Sequence, residues 1–287
     1  MNQNPNIKIF VLNWNGSDDT IECLESLHHL EYDNYSVVVV DNNSNDNSVD
    51  KIKQKFPEQS IVELSQNYGY AGGNNRGFKK AIDSETQYVV FLNNDTTVDK
   101  IFLNKLIDGI NKFGTDAILS PKIYYQNDPE RIWFAGASIN LYTGNIKHLG
   151  IRQEDDDSNC RDQKADYVSG CCLLIRAELF KELNGFDESF GMYSEDVDLC
   201  IRAKKLKVHC YMIASSHIYH KVSASLGGNF SYSKNIKKLK SLFKLIHKHK
   251  GVPAVLSATI FLVITLPIKL VILFFKSIIM EKYAKHN

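Results

Sequence analysis

The chain has 287 residues, 44% of them hydrophobic and 23% charged, enough for one large domain, or one domain with an appendage, around an ample core. Its net charge of +1 hides an asymmetry: residues 231–287 carry eleven Lys against the single acid Glu281, for +10, while the first 230 residues hold 23 basic and 32 acidic groups, for −9. The six cysteines (Cys23, Cys160, Cys171, Cys172, Cys200, Cys210) show no Cys-x-x-Cys or other metal-type spacing and are expected as reduced, mostly packed thiols.

Strand and helix alternate through the first 125 residues, which predicts a mostly parallel sheet flanked by helices. Ile7 to Leu12 reads as a strand; it is too short for a secretory leader and Asn13 and Asn15 follow at once, so the first 230 residues are expected in the cytosol. Ser17 to Leu30 is a helix with Asp18 and Asp19 at its positive end. Ser36 to Val40 is a strand ending at Asp41, with a helix to about Phe56. Ile61 to Leu64 precedes a helix from Gly73 to Ile82, and Tyr88 to Leu92 precedes one from Asp99 to Phe113. Each strand delivers a polar loop to one side of the sheet: Asn13-Trp14-Asn15, Asp41-Asn42-Asn43, Asn67-Tyr68-Gly69 and Asn93-Asn94-Asp95. Open α/β sheets bind ligands at that edge.

After Pro121 the pattern loosens. Tyr124 to Ile146 holds strand-like aromatic and Gly-rich pieces, and Glu154-Asp155-Asp156-Asp157 reads as a solvated loop. Strands follow at Ala165 to Ser169 and Cys172 to Arg176, then a helix over Ala177 to Leu183, one from about Glu195 to Leu206, and a strand from Val208 to Ile213. Domain borders are expected at 1–230, divided into a nucleotide-binding half (1–125) and an acceptor and catalytic half (126–230), with 231–287 as a separate tail. That tail contains the one membrane-length apolar run. Val252 to Ile268 is uncharged and Leu270 to Phe275 resumes after Lys269, so a helix over 252–275 would span roughly 36 Å at 1.5 Å per residue. Pro253, Pro267 and Lys269 argue equally for a kinked helix lying in the interface, beside Lys237, Lys238, Lys240, Lys244, Lys248 and Lys250 facing anionic headgroups. The tail is thus expected to associate with the cytoplasmic face of a membrane, peripherally or as a single pass. A buried C-terminal helix is the alternative, and no nucleic-acid partner is expected.

Several strand-end residues have chemistry to offer. Asp41 can accept from a pyrimidine imide or from ribose hydroxyls, or simply close its own Asx-turn. The segment Asn67-Tyr-Gly-Tyr-Ala-Gly-Gly-Asn-Asn-Arg-Gly77 does not follow the first strand, so a dinucleotide fingerprint is rejected. It lets the backbone pass close to a nucleotide, with Asn75 and Arg76 as donors, or forms a plain flexible turn. Asp95 offers a hard oxygen ligand to Mg²⁺ or Mn²⁺ shared with diphosphate, with Asn94 as a neutral neighbour. Glu195 and Asp196 stand at a loop-to-helix junction, where a base could reach a hydroxyl. Ser194 can equally cap that helix with both acids serving the dipole, and Asp198 with Arg202 has the spacing of an ordinary helix pair. His220 lies beyond the last strand.

Six motifs in order, Val-Leu-Asn-Trp-Asn-Gly, Val-Asp-Asn-Asn-Ser, Asn-x-Gly-x-Ala-Gly-Gly-Asn-Asn, Leu-Asn-Asn-Asp-Thr, Gly-Phe-Asp-Glu-x-Phe and Tyr-x-Glu-Asp-Val-Asp-Leu-Cys-x-Arg, cover Ile7 to about Ser225. Together they resemble the family 2 glycosyltransferases of the GT-A fold, in particular the rhamnosyltransferase-like members. The resemblance implies inverting transfer of a sugar, rhamnose or another hexose, from a dTDP or UDP donor to a hydroxyl of a cell-envelope polysaccharide or lipid-linked glycan. It implies that Asp41 contacts the base, with Leu12, Trp14, Asn67, Asn75, Arg76 and Asn94 completing the nucleotide contacts. Asp95 and His220 would hold the divalent cation, Asp196 would be the general base, and Glu195 its catalytic neighbour. One departure is that Asn93 stands where the family's Asp-x-Asp motif begins, leaving Asp95 as the sole carboxylate; a metal-independent variant relying on Lys221 stays open. A processive synthase is disfavoured, since neither Trp14 nor Trp133 lies in a Gln-x-x-Arg-Trp motif. A glycoside hydrolase would not explain four polar strand ends. The remaining alternative is a non-catalytic, membrane-tethered protein that binds nucleotide sugar or glycan.

Overall fold

The computed structural model describes residues 4–156, 160–222 and 232–284, and in the last helix the side chains of residues 235–265. Two compact units are present: residues 1–138 with 147–241, and residues 139–146 with 242–287. The first therefore runs on to Ser241, past the compositional border at residue 230.

In that unit β1 (Ile7–Asn13), β2 (Tyr35–Asp41), β3 (Ser60–Glu63) and β4 (Tyr88–Asn93) lie parallel in the order β3-β2-β1-β4. The crossovers are α1 (Ser17–His28), α2 (Ser48–Lys55) and α3 (Gly69–Ala81). β1 and β4 are near-continuous apolar runs because helices cover both their faces. Beyond β4 come β11 (Cys172–Arg176), β6 (Ile118–Tyr125), β12 (Cys210–His220) and β10 (Gln163–Ala165), with β5 (Thr96–Val98) on β12 and β7 (Asp128–Phe134) on β6. β8 (Ala137–Asn140) pairs with β9 (Asn145–His148) in a separate ribbon. The remaining helices of this unit are α4 (Phe102–Phe113), α5 (Ala177–Glu182) and α6 (Glu195–Lys205).

The sheet is mixed, which corrects the mostly parallel expectation. β11 is antiparallel to both β4 and β6, and β5, β7 and β10 add further antiparallel pairs. Strand–helix alternation demands parallel neighbours only while each strand is followed by a crossover, as in β1 to β4; beyond them β6 and β12 are also parallel, but among antiparallel neighbours. Phe10, Phe78, Phe91, Phe180 and Phe186 pack between the sheet, α3 and α5; Phe91 and Phe180 have centroids 4.6 Å apart. Arg202 ties α6 to the preceding loop, donating to Asp198 at 2.7 Å and to the Leu183 and Gly185 carbonyls.

Three local expectations shift. α3 starts at Gly69 rather than Gly73, and β12 continues to His220 through a register irregularity between Ile213 and His217, so His220 ends a strand instead of following one. Asp155 is not a solvated loop acid. It accepts from the Lys122 ammonium at 2.8 Å and from the Tyr124 hydroxyl, and Lys122 is fully buried. Asp157 and residues 223–230 lie outside the described residues.

The second unit holds the hairpin tip and most of α7 (Tyr232–Ala284), which breaks at Gly251 (φ 72°). Ala254 and Ala258 are buried, whereas Val252, Leu256, Ile260, Val263 and Ile264 are exposed. Past Gly251 the buried side chains among the described residues are thus the two alanines, while Leu245 and Ile246 are buried before it. Among the described residues no helix is long and apolar enough to cross a membrane, so the expected spanning tail is not supported. The run beyond Thr265 lies outside the described side chains.

Candidate active site

The ends of β1, β2 and β4 come into register, with Asn13 opposite Asp41 and Leu12 opposite Asn93. A chain of hydrogen bonds links them. Asn13 donates to Asp41 Oδ1 at 2.8 Å and accepts from Thr20 Oγ1 at 2.8 Å; Asn94 donates to the same threonine at 3.0 Å. Ser44 N donates to Asp41 Oδ2 at 3.0 Å, so each oxygen of this buried carboxylate holds one bond and keeps a lone pair. Leu12 packs under α3 at Gly73, and Trp14 stands 53% exposed at the rim. Asn67 Oδ1 accepts from Asn42 at 3.0 Å and from Gly69 N at 2.8 Å, fixing the turn into α3. Thr20 was not singled out from sequence, and Asn13 and Asn42 entered only as members of the polar strand-end loops. Their signal is a polar residue at an otherwise apolar strand end or in the first turn of a helix.

Asn75 and Arg76 are engaged by a neighbouring turn. The Asn75 amide accepts from Phe186 N at 2.9 Å and donates to Phe186 O at 2.8 Å and to Glu188 at 3.2 Å. Arg76 pairs with Glu188 at 2.8 Å and lies 3.7 Å over the Tyr68 ring. The structure uses both to clasp the Gly185-Phe-Asp-Glu turn to α3.

Asp95 meets His220. The antiparallel pairing of Thr96 with His220 sets them side by side, with Nε2 3.1 Å from Asp95 Oδ1. Lys221 donates its backbone N–H to the Asp95 carbonyl at 2.9 Å and its ammonium to Asp19 at 2.7 Å, with Glu22 at 3.3 Å. This lysine is engaged by α1. Among the described residues no group of three or more His, Cys, Asp or Glu could hold a metal. The Asp95–His220 pair nevertheless fits an ion that takes few protein ligands and completes its shell with substrate phosphates.

Asp196 and Glu195 open α6. Asp196 Oδ2 accepts from Gly170 N at 2.9 Å and Oδ1 from Val197 N at 2.8 Å. The next residue, Cys171, accepts from Asn93 N at 2.8 Å, so two consecutive residues join Asp196 to the end of β4 beside Asp95. Tyr70, unremarked in the sequence, donates its hydroxyl to the Gly170 carbonyl. Burial raises the Asp196 carboxyl above the usual range; burial and the Asp196 charge push Glu195 to about 8. Glu195 Oε2 is buried without a hydrogen-bond partner among the described residues. Asp196 accepts an N–H on each oxygen whereas Glu195 Oε2 accepts none, an asymmetry that favours the negative charge on Asp196.

The loop before α6 is strained: Gly191, Tyr193 and Ser194 all have positive φ (71°, 76°, 73°). Ser194 makes no side-chain cap, because capping requires extended backbone there. The Tyr193 carbonyl accepts from Ser241, and Lys238 lies 5.1 Å from the Tyr193 ring centre. Gly69 approaches the Gly191 carbonyl, bringing the start of α3 against this loop.

The sequence pattern of glycosyl transferase family 2 matches residues 8–184. The chain belongs to that family. This family 2 glycosyltransferase is 24% identical over 221 residues to a low-salt glycan biosynthesis hexosyltransferase of Haloferax volcanii, a match covering 74% of this chain and 66% of that one. It is 25% identical over 214 residues to an N-acetylglucosaminyl-diphospho-decaprenol L-rhamnosyltransferase of Mycobacterium tuberculosis, covering 67% and 68% of the two chains. Among solved structures it resembles GalNAc-T7 with UDP, GalNAc and Mn²⁺ (TM-score 0.66, 15% identity, 86% of this chain and 48% of that one). It also resembles S. aureus TarS 1-349 in complex with UDP (TM-score 0.56, 18% identity, 90% and 70%). The family 2 glycosyltransferase thus has an α/β, GT-A-like fold with a mixed central sheet.

Proposed function

We propose that this chain transfers a hexose, with inversion, from a UDP or dTDP donor to a hydroxyl of a lipid-linked or cell-envelope glycan. The observation that carries the reading is the meeting, at one sheet edge, of the Asp95–His220 pair with a base-type carboxylate that burial has made more basic. The acceptor oxygen forms a bond to the anomeric carbon, the bond from that carbon to the diphosphate oxygen breaks, and the acceptor proton passes to Asp196. Asp196 suits the task because a carboxylate of raised pKa holds a proton better near neutral pH. Neutral Glu195 keeps a second negative charge away from the base. Asp41 offers its remaining lone pairs to the base or ribose, and Leu12, Trp14, Asn67 and Asn94 lie along the same edge. Asp95 and His220 would hold a Mg²⁺ or Mn²⁺ ion, which when bound screens the charge on the leaving diphosphate. Support for donor and acceptor comes from the UDP complexes of the structural neighbours and the lipid-linked acceptor in the mycobacterial relative's name.

The deciding experiment is a thermal-shift panel of UDP- and dTDP-sugars with and without Mn²⁺. A shift with one nucleotide series, larger with Mn²⁺ and lost in Asp95→Ala, supports the reading; no shift with any donor refutes it. For location, the basic turn of α7 and the exposed Val252, Leu256, Ile260 and Val263 stripe support attachment to an anionic membrane surface from the cytoplasmic side. Co-sedimentation with anionic but not neutral vesicles is the expected result, and equal partition to both refutes the charge component.

A further inference from the structure

Strand β7 departs from regular alternation. Ile123 of β6 faces Phe134 and Tyr124 faces Ile132, so Trp133 is an extra residue on β7, a β-bulge. Bulges re-aim a side chain and recur beside active sites. Here the bulged indole meets the His220 ring edge-to-face, with centroids 4.6 Å apart and planes at 86°. It also meets His148 at 4.8 Å and 71°. His148 is hydrogen-bonded to the Trp133 backbone, and burial brings its pKa down to about 4, so it remains neutral behind the indole at physiological pH.

His220 needs such a neighbour. A metal-binding histidine ordinarily has its second ring nitrogen hydrogen-bonded to a carboxylate, carbonyl or water, which fixes the ring's rotation. His220 Nδ1 is buried and has no hydrogen-bond partner among the described residues. Its Nε2 contact to Asp95 fixes one point of the ring and not the plane of the ring through it. A flat, edge-on aromatic contact supplies the missing constraint by packing.

We propose that Trp133 is a positioning residue, re-aimed by the β7 bulge to hold the His220 imidazole in line with Asp95 and so preform the pair that meets the cation and diphosphate. The part concerning the cation rests on the function proposed above; the part concerning ring orientation does not.

Two measurements on the full chain test this. Imidazole ¹H–¹⁵N correlations of His220, assigned with His220→Gln, report the metal-free ring. Wild type and Trp133→Phe are expected to give one ordered ring, and Trp133→Leu, which keeps apolar bulk without an aromatic edge, a motionally averaged one. An unchanged ring in Trp133→Leu overturns the proposal. The second measurement is the Mn²⁺-dependent gain in UDP affinity by calorimetry for Trp133→Leu, His220→Ala and the double variant. Loss of orientation is expected to cost on the order of tenfold in that gain, and the double variant should bind no worse than His220→Ala. Independent, multiplying losses overturn the proposal. If wild type gains nothing from Mn²⁺, the proposed function fails on that point, and the ring measurement still decides the role of Trp133.

Discussion

Replacing Asp196 by Asn keeps the shape of the side chain while removing its capacity to take a proton. A positioned base contributes roughly 10²–10⁴ in rate, or about 2.7–5.4 kcal/mol of barrier at 1.36 kcal/mol per decade. The structure also sets a folding cost. The carboxylate accepts one N–H on each oxygen, from Gly170 and Val197, whereas an amide can accept only on one side and turns its own NH₂ toward the other donor. One buried N–H left unsatisfied costs about 1–3 kcal/mol. Relief of the burial that already opposes the charge offsets part of this. At about 2–4 °C per kcal/mol the melting temperature should fall by less than roughly 12 °C. The assay is product formation at saturating donor, well below the transition, alongside donor affinity by calorimetry. The expected result is a 100- to 10,000-fold drop in kcat with donor affinity within a few-fold of wild type. A kcat within tenfold of wild type, or a loss matched by an equal loss of donor binding, refutes the assignment of Asp196 as base.

Glu195 should couple stability to pH. Its carboxyl is raised from 4.5 to about 8, so its contribution is present below pH 4.5 and is lost as pH rises through 8. Melting temperature between pH 5 and 8.5 should therefore fall more in wild type than in Glu195→Gln, and parallel curves would refute this. Arg202→Leu removes the guanidinium partner of the fully buried Asp198 and should cost about 1–3 kcal/mol in chemical denaturation; a loss below about 0.5 kcal/mol would refute this. At Gly77 an added methyl would run into the Val40 side chain, so Gly77→Ala should destabilise by about 1–3 kcal/mol despite better helix propensity. An unchanged melting temperature would mean that α3 can move off β2.

What could be read from sequence was whatever local periodicity dictates. β1, β2 and β4 are apolar runs ending in Asn or Asp, and the polar termini of β1, β2 and β4 do line up in one register. The second half resisted because its pairings are non-local. Ala214-Ser215-Ser216 looks like the end of a strand, but a register irregularity absorbs it and carries β12 on to His220. Likewise Lys122 and Asp155 are 33 residues apart in sequence and one part-buried ion pair in space. Asn75 and Arg76 belong to a glycine-rich segment of the kind that greets phosphates, and no periodic rule says that they also hold the Gly185 turn.

The strained pair Tyr193–Ser194 has a bearing on where this protein can be shortened. Consecutive non-glycine residues at positive φ cost on the order of 1–3 kcal/mol each and persist only where surroundings over-determine them. One of those surroundings is Ser241, bonded to the Tyr193 carbonyl from α7. Charge and composition invite a cut after residue 230, which removes this anchor and lets the turn in front of Asp196 relax. The opening of α7 is thus part of what holds the turn in front of Asp196, and a shortened chain that keeps this turn in place has to extend at least through Ser241.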